Sequence, residues 1–226
     1  MHRMRILRRD LSIRSHTFEG VRNMVREFNI VIAGVGGQGT ILMAEILGEA
    51  ATIEGLKVRG SEILGMAVRG GPVSSIIRVG SEVHGPLVPE GKGDVLVGLE
   101  PTEALRNITY LSKNGIAVIN TRPIVPYTVP LGLTKYPQMR NVLETLRGKS
   151  RDVIALDATK LAKEAGTPVA ANMVMLGALA GTGKLPIKNK TLKKVMKAHF
   201  SEEMARINIK AFDLGFEVSR NLAKRN

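Results

Sequence analysis

The sequence contains no cysteine and no tryptophan, few aromatic residues of any kind, and no apolar run near the eighteen or more residues that a membrane span requires. Without cysteine the chain can form no disulfide, offer no thiolate nucleophile and ligate no iron–sulfur cluster through sulfur. Any redox centre it serves must therefore be carried by another chain. Its three tyrosines, Tyr110, Tyr127 and Tyr136, are too sparse for a base-stacking platform. No secretory h-region stands at the N-terminus, and a soluble cytoplasmic protein is expected. The four histidines, His2, His16, His84 and His199, are scattered without metal-ligand spacing. There is no serine elbow and no paired-carboxylate motif, and the P-loop lysine is missing because Gly39 is followed by Thr40. Neither a catalytic residue nor a metal ligand is expected.

Charge of one sign, by contrast, is abundant: 33 Lys and Arg stand against 20 Asp and Glu, a net charge of +13. Residues 1–27 hold seven arginines against three acids, and residues 184–226 hold eleven basic residues against four acids. The stretch between them is nearly balanced, so the basicity belongs to the two ends. That placement suits an acidic partner surface at least as well as a polynucleotide, and nucleic acid is not the expected partner. Residues 1–27 lack sustained periodicity and read as a basic flexible tail. Met24, just before the first strand, is an alternative start, and Asp10 and Glu19 argue against a targeting peptide. Two glutamines in 226 residues, no cysteine and many Lys/Arg lean toward a thermophile.

The stretch 28–55 passes from strand through glycine-rich turn to helix. Ile30–Ala33 is a short β-branched run suited to a strand buried on both faces. From Thr40 onward Glu45, Glu49 and Thr52 recur at helical steps, leaving Ile41, Leu42, Ala44, Ile46, Leu47 and Ala50 to cover a sheet, and Gly55 ends the helix. Between them Gly34, Gly36 and Gly39 have the G-x-G-x-x-G spacing of a dinucleotide-type loop. Such a turn aims backbone N–H groups at an anion. The same spacing also serves a plain tight turn, and by itself it does not separate the two.

Leu56–Arg59 reads as a second strand ending at Gly60-Ser61-Glu62, with Glu62 near, though somewhat past, the place of a ribose-binding acid. Residues 61–72 surround Arg69 with Gly65, Gly70, Gly71 and Pro72, the composition of a loop approached closely by a ligand or partner, or of a surface turn. Val73–Val79 is a strand, and Gly80-Ser81 predicts a hairpin whose second arm is Glu82–His84. Asp94–Leu99 is a strand, followed by a helix over Thr102–Leu111 with Pro101 in its first turn. Gly115–Asn120 is the next strand, and Thr121–Pro137 is an extended proline-containing loop too long for a mere connector. Asp152–Leu156 is the last strand, with Asp157 capping a helix over Ala158–Ala165 that Gly166 stops. Met173–Ala180 reads as a buried helix capped by Asn172 and stopped by Gly181. Two helices close the chain, Lys190–Phe200 and Ser201–Lys224, the latter with a docking stripe of Met204, Ile207, Ala211, Leu214, Val218 and Leu222. The expected fold class is α/β: a Rossmann-like, mostly parallel sheet with flanking helices, an inserted hairpin and C-terminal helices. Its divisions are a tail over 1–27, a Rossmann-like domain over 28–183 and a helical segment over 184–226 packed on it.

Three stretches together resemble a known family. Gly-Val-Gly-Gly-Gln-Gly at 34–39, Ser-Glu-Ile-Leu-Gly-Met-Ala-Val-Arg-Gly-Gly at 61–71 and Asp-Val-Leu-Val-Gly-Leu-Glu-Pro-Thr-Glu-Ala-Leu-Arg at 94–106 look like the gamma-type domain of 2-oxoacid:ferredoxin oxidoreductases. Within that family the likeness is to the beta subunits of its indolepyruvate branch. Asn172-Met-Val-Met-Leu-Gly-Ala-Leu adds to it, and Val68 departs from it by standing where the family usually has Gln. The resemblance implies a heteromer whose large subunit holds thiamine diphosphate and iron–sulfur clusters, decarboxylates an aryl 2-oxoacid, passes electrons to ferredoxin and forms an acyl-CoA. This chain then binds no cofactor alone, and coenzyme A meets it at the subunit interface. The residues implied are Gly34, Gly36, Gly37, Gln38, Gly39 and Thr40 in one loop, Glu62, Arg69, Gly70 and Gly71 in the other, and Asn172. A free-standing Rossmann-like nucleotide-binding protein is the alternative.

Overall fold

The computed structural model describes residues 25–67, 69–150 and 152–224. Six strands form one sheet: β1 (Phe28–Val35), β2 (Lys57–Leu64), β3 (Pro72–Gly80), β4 (Gly93–Gly98), β5 (Leu111–Asn120) and β6 (Asp152–Leu156). Their order is β2-β3-β1-β4-β5-β6. β1, β4, β5 and β6 run parallel, while β3 is antiparallel to both β1 and β2. Seven α-helices accompany the sheet among the described residues: α1 (Thr40–Ile53), α2 (Pro101–Arg106), α3 (Met139–Lys149), α4 (Ala158–Ala165), α5 (Ala171–Gly181), α6 (Asn189–His199) and α7 (Glu202–Ala223).

Alternation along β1 divides the interior. Ile30 and Ile32 point into a large core with α1, α4, α5, α6 and α7, whereas Val31 and Ala33 point into a smaller one with α2 and α3. All four are fully buried, as a strand covered on both faces requires. The mixed α/β sheet with flanking and C-terminal helices agrees with the sequence reading. The hairpin, however, is built from other arms. Gly60, Ser61 and Glu62 do not end β2 but continue it, pairing with Ile77, Ile76 and Ser75 of β3. With β1 on one edge of β3 and β2 on the other, Glu82–His84 has no edge left to pair with and remains irregular. Arg78 holds that segment instead, donating to the Gly85 and Leu87 carbonyls at 2.8 and 2.9 Å.

Other boundaries also move. The helix expected over Thr102–Leu111 stops at Arg106, because the Asn107 side chain bonds back to the Glu103 carbonyl and Leu111 is drawn into β5. Asn172 is not an N-cap. Thr167 caps a 3₁₀ turn over Pro168–Ala170, and α5 runs on from it with Asn172 already inside its first turn. Of the stripe expected on α7, Ala211 is fully buried and Ile207, Leu214, Val218 and Leu222 pack half-buried against the core, while Met204 is exposed; Ala205, Asn208, Phe212, Gly215 and Ser219 beside it are the further buried positions. Helix α3 was not anticipated, although Val142 and Leu146 bury one turn apart. Of the expected tail, Val25–Glu27 is tied to the fold by backbone bonds to Ser81 and Glu82 and by an Arg26–Glu82 ion pair at 2.7 Å. Residues 1–24 and Val68 lie outside the described residues.

Small residues let α5 and α7 approach closely. A Cβ on Gly177 would collide with the Phe212 carbonyl oxygen, and one on Gly215 with that of Val174. Gly181 meets the Phe216 carbonyl and the Ser219 side chain in the same way. The C-terminal helices are fastened to α1 as well, where Glu54 accepts from the Lys188 N–H at 2.9 Å and the Thr191 hydroxyl at 2.6 Å.

Candidate functional site

The carboxyl ends of β1, β4 and β5 lie side by side, and the turns that leave them meet there. Gly37 and Gly39, at φ 98° and 77°, bend the chain from β1 into α1 in a conformation that glycine adopts without strain. Gly39 sits at the N-cap without any side-chain cap, so the first-turn amides of Thr40, Ile41 and Leu42 have no intrahelical acceptor.

Much of this loop is occupied with holding itself together. The Gln38 side chain accepts from the Val35 N–H at 2.8 Å and donates to the Leu99 carbonyl at 2.9 Å, bracketing the bend against β4. Gly34 packs close to Gln38, Thr40 and Leu99. Asn172 is buried, and its amide nitrogen reaches the Gly39 carbonyl at 3.4 Å. The second motif docks on the first: the Gly36 N–H donates to Gly71 O at 2.9 Å and the Gly70 N–H to Gly36 O at 3.2 Å. The Gly36 amide is thus committed to structure. Arg69 lies exposed on the tip of that loop, beside Gly70 at φ 72°.

Glu62 is exposed on β2, which among the described residues is an edge strand running antiparallel to β3, and it faces a hollow with Glu45 rather than the glycine bend. The ribose-acid geometry of a nucleotide-binding fold is not reproduced there, because β2 is separated from β1 by β3.

Two openings flank the bend. One, of about 610 Å³, lies between α1 and the β2–β3 loop and is lined by Gly36, Gly37, Gly39, Thr40, Glu45 and Gly65 among others. The other, of about 290 Å³, lies over the ends of β4 and β5, between Gly37 and Gln38 on one side and Pro168, Val169 and Asn172 on the other, with Asn120 and Arg122 on its wall.

The third motif builds the support beneath this second opening. Glu100 is 1% exposed, yet both its oxygens are used. Oε2 accepts from the Thr102 N–H, the Thr102 hydroxyl and the Glu103 N–H, capping α2. Oε1 accepts from the Ile124 N–H at 3.3 Å and the Tyr136 hydroxyl at 2.5 Å. One buried carboxylate therefore fastens both ends of the long loop after β5. Burial and the neighbouring Glu100 push the Tyr136 hydroxyl well above the usual tyrosine range. Burial likewise raises Asp94, which accepts the Asn29 N–H at 2.7 Å and locks β4 to β1, and it raises Glu103. The sequence marked this loop as too long for a connector but singled out none of Glu100, Asn120, Arg122 or Tyr136, since the partners that give them meaning come from different strands.

The chain belongs to the pyruvate ferredoxin/flavodoxin oxidoreductase family, whose model matches residues 29–218. It is similar to the indolepyruvate oxidoreductase subunit IorB of Pyrococcus horikoshii, 44% identical over 202 residues that cover 88% of this chain and 98% of that protein. Among solved structures it is similar to the gamma subunit of a keto/oxoacid ferredoxin oxidoreductase from Geobacter sulfurreducens, at TM-score 0.63 and 26% identity over 85% of this chain and 98% of that one. It is also similar to part of the 2-oxoglutarate:ferredoxin oxidoreductase of Magnetococcus marinus, solved with 2-oxoglutarate, coenzyme A and succinyl-CoA bound, at TM-score 0.66 and 25% identity. There the match covers 87% of this chain but 32% of the longer one. The resemblance read from the motifs is borne out, and no described helix is long and apolar enough to cross a membrane.

Proposed function

We propose that this chain is the subunit of a cytoplasmic indolepyruvate ferredoxin oxidoreductase that carries no redox cofactor. Its large partner holds thiamine diphosphate and iron–sulfur clusters, which supply the decarboxylation and the passage of two electrons to ferredoxin. The products are carbon dioxide and the aryl acyl-CoA. The observation that carries this reading is 44% identity, across nearly the whole length of both chains, to a protein named as an indolepyruvate oxidoreductase subunit. A chain without cysteine has no thiolate for a cluster, which is consistent with clusters borne by the partner. In the Magnetococcus relative the matching region is about a third of a longer chain, and that agrees with a domain made to sit against a larger body.

Within this subunit the glycine bend with Gly34, Gly36, Gly37, Gln38, Gly39 and Thr40, the β2–β3 loop with Arg69, Gly70 and Gly71, and Asn172 together face the partner's active site, whereas Glu62, on β2 beside Glu45, is turned from the bend and takes no part. The free amides at the start of α1 and the charge of Arg69 help receive the phosphates of coenzyme A. Gln38, Asn172, Gly70 and Gly71 act by fixing the bend rather than by touching the ligand.

Co-expression with the large subunit, co-purification and a CoA-dependent viologen-reduction assay across several 2-oxoacids test the proposal. A stable complex that prefers indolepyruvate is expected, with Arg69→Ala raising the KM for CoA about tenfold, the size of one lost charge-assisted hydrogen bond. Preference for pyruvate or a branched-chain acid would change the substrate and keep the class. If the chains fail to associate and the isolated protein binds NAD(P) by calorimetry, the free-standing nucleotide-binding reading replaces this one.

A further inference from the structure

The helices that close the chain present a row of cations to solvent. Helix α6 carries Lys190, Lys193, Lys194 and Lys197 and no acid among its 11 residues. Lysines spaced four apart on one helix repel each other, and Lys190 stands at the positive end of the helix dipole. α6 therefore forms in spite of its charge, held by Leu192, Val195 and Met196, which are buried in the larger core. Arg206 and Lys210 continue the row onto α7. An open groove of about 530 Å³, where α6 meets α7, is lined by Lys197, Arg206 and Lys210 and by the acids Asp213 and Glu217 among others.

Both of those acids are already neutralised. Asp213 pairs with Lys193 at 2.6 Å and Glu217 with Arg220 at 2.7 Å. Lys197, Arg206 and Lys210 are exposed and make no hydrogen bond or ion pair with any described residue, and the same holds for Lys190 and Lys194. Glu202 and Glu203 lie in the first turn of α7, where a negative charge suits that helix's own positive end. Unpaired positive charge thus dominates the groove.

We infer that this α6–α7 face docks an acidic protein, the ferredoxin-type carrier that takes electrons from the complex. The inference rests on the subunit role proposed above and gives this chain a surface in a step otherwise left to the large subunit. Complementarity of charge carries it. In an iron–sulfur carrier the cysteine thiolates outweigh the positive charge of the cluster core, so the redox centre is itself an anion. A permanent subunit contact over this groove would strip water from unpaired cations at a high cost, and lysine is depleted from the cores of such contacts. A brief encounter between redox partners buries little surface and draws on long-range attraction instead. A polynucleotide is the poorer fit, since no Phe or Tyr of α6 or α7 is exposed to stack on a base. Without cysteine this chain holds no cluster and passes no electron itself. A carrier seated here therefore also touches the large subunit, whose reduced cluster gives the electron directly to the oxidised carrier.

The test uses the complex of this chain with its large subunit, turning over 2-oxoacid and CoA with either a purified ferredoxin or viologen as acceptor. One variant combines Lys197→Glu, Arg206→Glu and Lys210→Glu, and a second changes the same three residues to glutamine. The control combines Lys113→Glu, Arg147→Glu and Lys149→Glu, exposed cations of β5 and α3, and alters the net charge by as much as the first variant does. The reversal at α6–α7 is expected to raise the KM for ferredoxin about tenfold at low ionic strength, the sum of a few exposed charge pairs, and to flatten its salt dependence. The glutamine variant falls between it and wild type. Viologen reduction and co-purification stay within twofold of wild type, because a small acceptor needs no docking face. The inference is overturned if the KM for ferredoxin stays within twofold of wild type, if the control raises it as much, or if the reversal releases the large subunit. It is overturned too if the reversal abolishes binding of a labelled oligonucleotide and leaves ferredoxin untouched. A wild-type complex that reduces viologen but not ferredoxin overturns this inference and keeps the subunit's part in 2-oxoacid and CoA turnover, whereas chains that do not associate overturn both.

Discussion

Glu100 links the local and the distant in this protein. Its carboxylate caps α2 with one oxygen and ties the long loop after β5 with the other, through Ile124 at one end and Tyr136 at the opposite end. Removing the phenol leaves a buried carboxylate oxygen with one long partner. Tyr136→Phe is therefore expected to lower stability by about 2 kcal/mol, and to speed amide exchange across residues 122–136, both measurable by urea denaturation and hydrogen exchange. The same contact has a pH signature. Because the folded hydroxyl titrates above its unfolded value of about 10, the folded state keeps a proton that the unfolded state has released, and stability falls as pH rises from about 10 through the folded pKa. Below about pH 10 the contribution is fully present. Denaturation midpoints followed from pH 8 to 11 are expected to show this decline in the wild type and a weaker one in Tyr136→Phe.

Among the elements, α5 and α7 form the closest pair. Gly177 and Gly181 on α5 and Gly215 on α7, beside the small Ala211 and Ser219, bring the two backbones together, and a Cβ at any of the three glycines would strike a carbonyl of the facing helix. Gly177→Ala adds one methyl against the Phe212 carbonyl, and the helices must separate to admit it. We expect a loss of about 3 kcal/mol, at the upper part of the range for overpacked cores, seen as a lowered Tm. An exposed glycine with open space around it, Gly148 on α3, serves as the control, since alanine there is expected to leave Tm unchanged or raise it slightly.

Over the molecule as a whole, many of the exposed large apolar side chains among the described residues lie at the carboxyl end of the parallel strands. Leu64 at the end of β2 and Met66 on the loop that follows are 59% and 105% exposed, and Tyr127, Leu131 and Leu133 on the loop after β5 are 77%, 65% and 70% exposed. Both loops leave the sheet at the carboxyl ends of the parallel strands, beside the glycine bend. Apolar side chains concentrated in this way mark a surface that a partner covers. Changing Met66, Leu131 and Leu133 together to serine is expected to reduce co-purification with the large subunit severalfold, while leaving the Tm of the isolated chain within a degree or two. Pull-down and thermal denaturation of the same variant check both halves.

The sequence by itself determined the frame. Ile30–Ala33 announced a strand covered on both faces, Asp157 and Gly166 bounded α4 as read, and the three glycine-bearing motifs pointed to the family. These signals are local, set by side-chain period, caps and φ preference within a few residues. What only the tertiary structure decided is pairing. Glu82–His84 is β-capable, but both edges of β3 were already taken, so it stayed irregular. The buried face of α7 widened beyond its apolar stripe because Gly177 and Gly215 allow a backbone contact that hydrophobic period does not describe. Asn172 passed from expected cap to a brace on Gly39 across a separation of more than a hundred residues, and Arg122 acquired its place only when Asn120 and Glu100 met at the strand ends. Their roles depend on which strands become neighbours, and that follows from the global sum of burial and hydrogen bonding rather than from any local window.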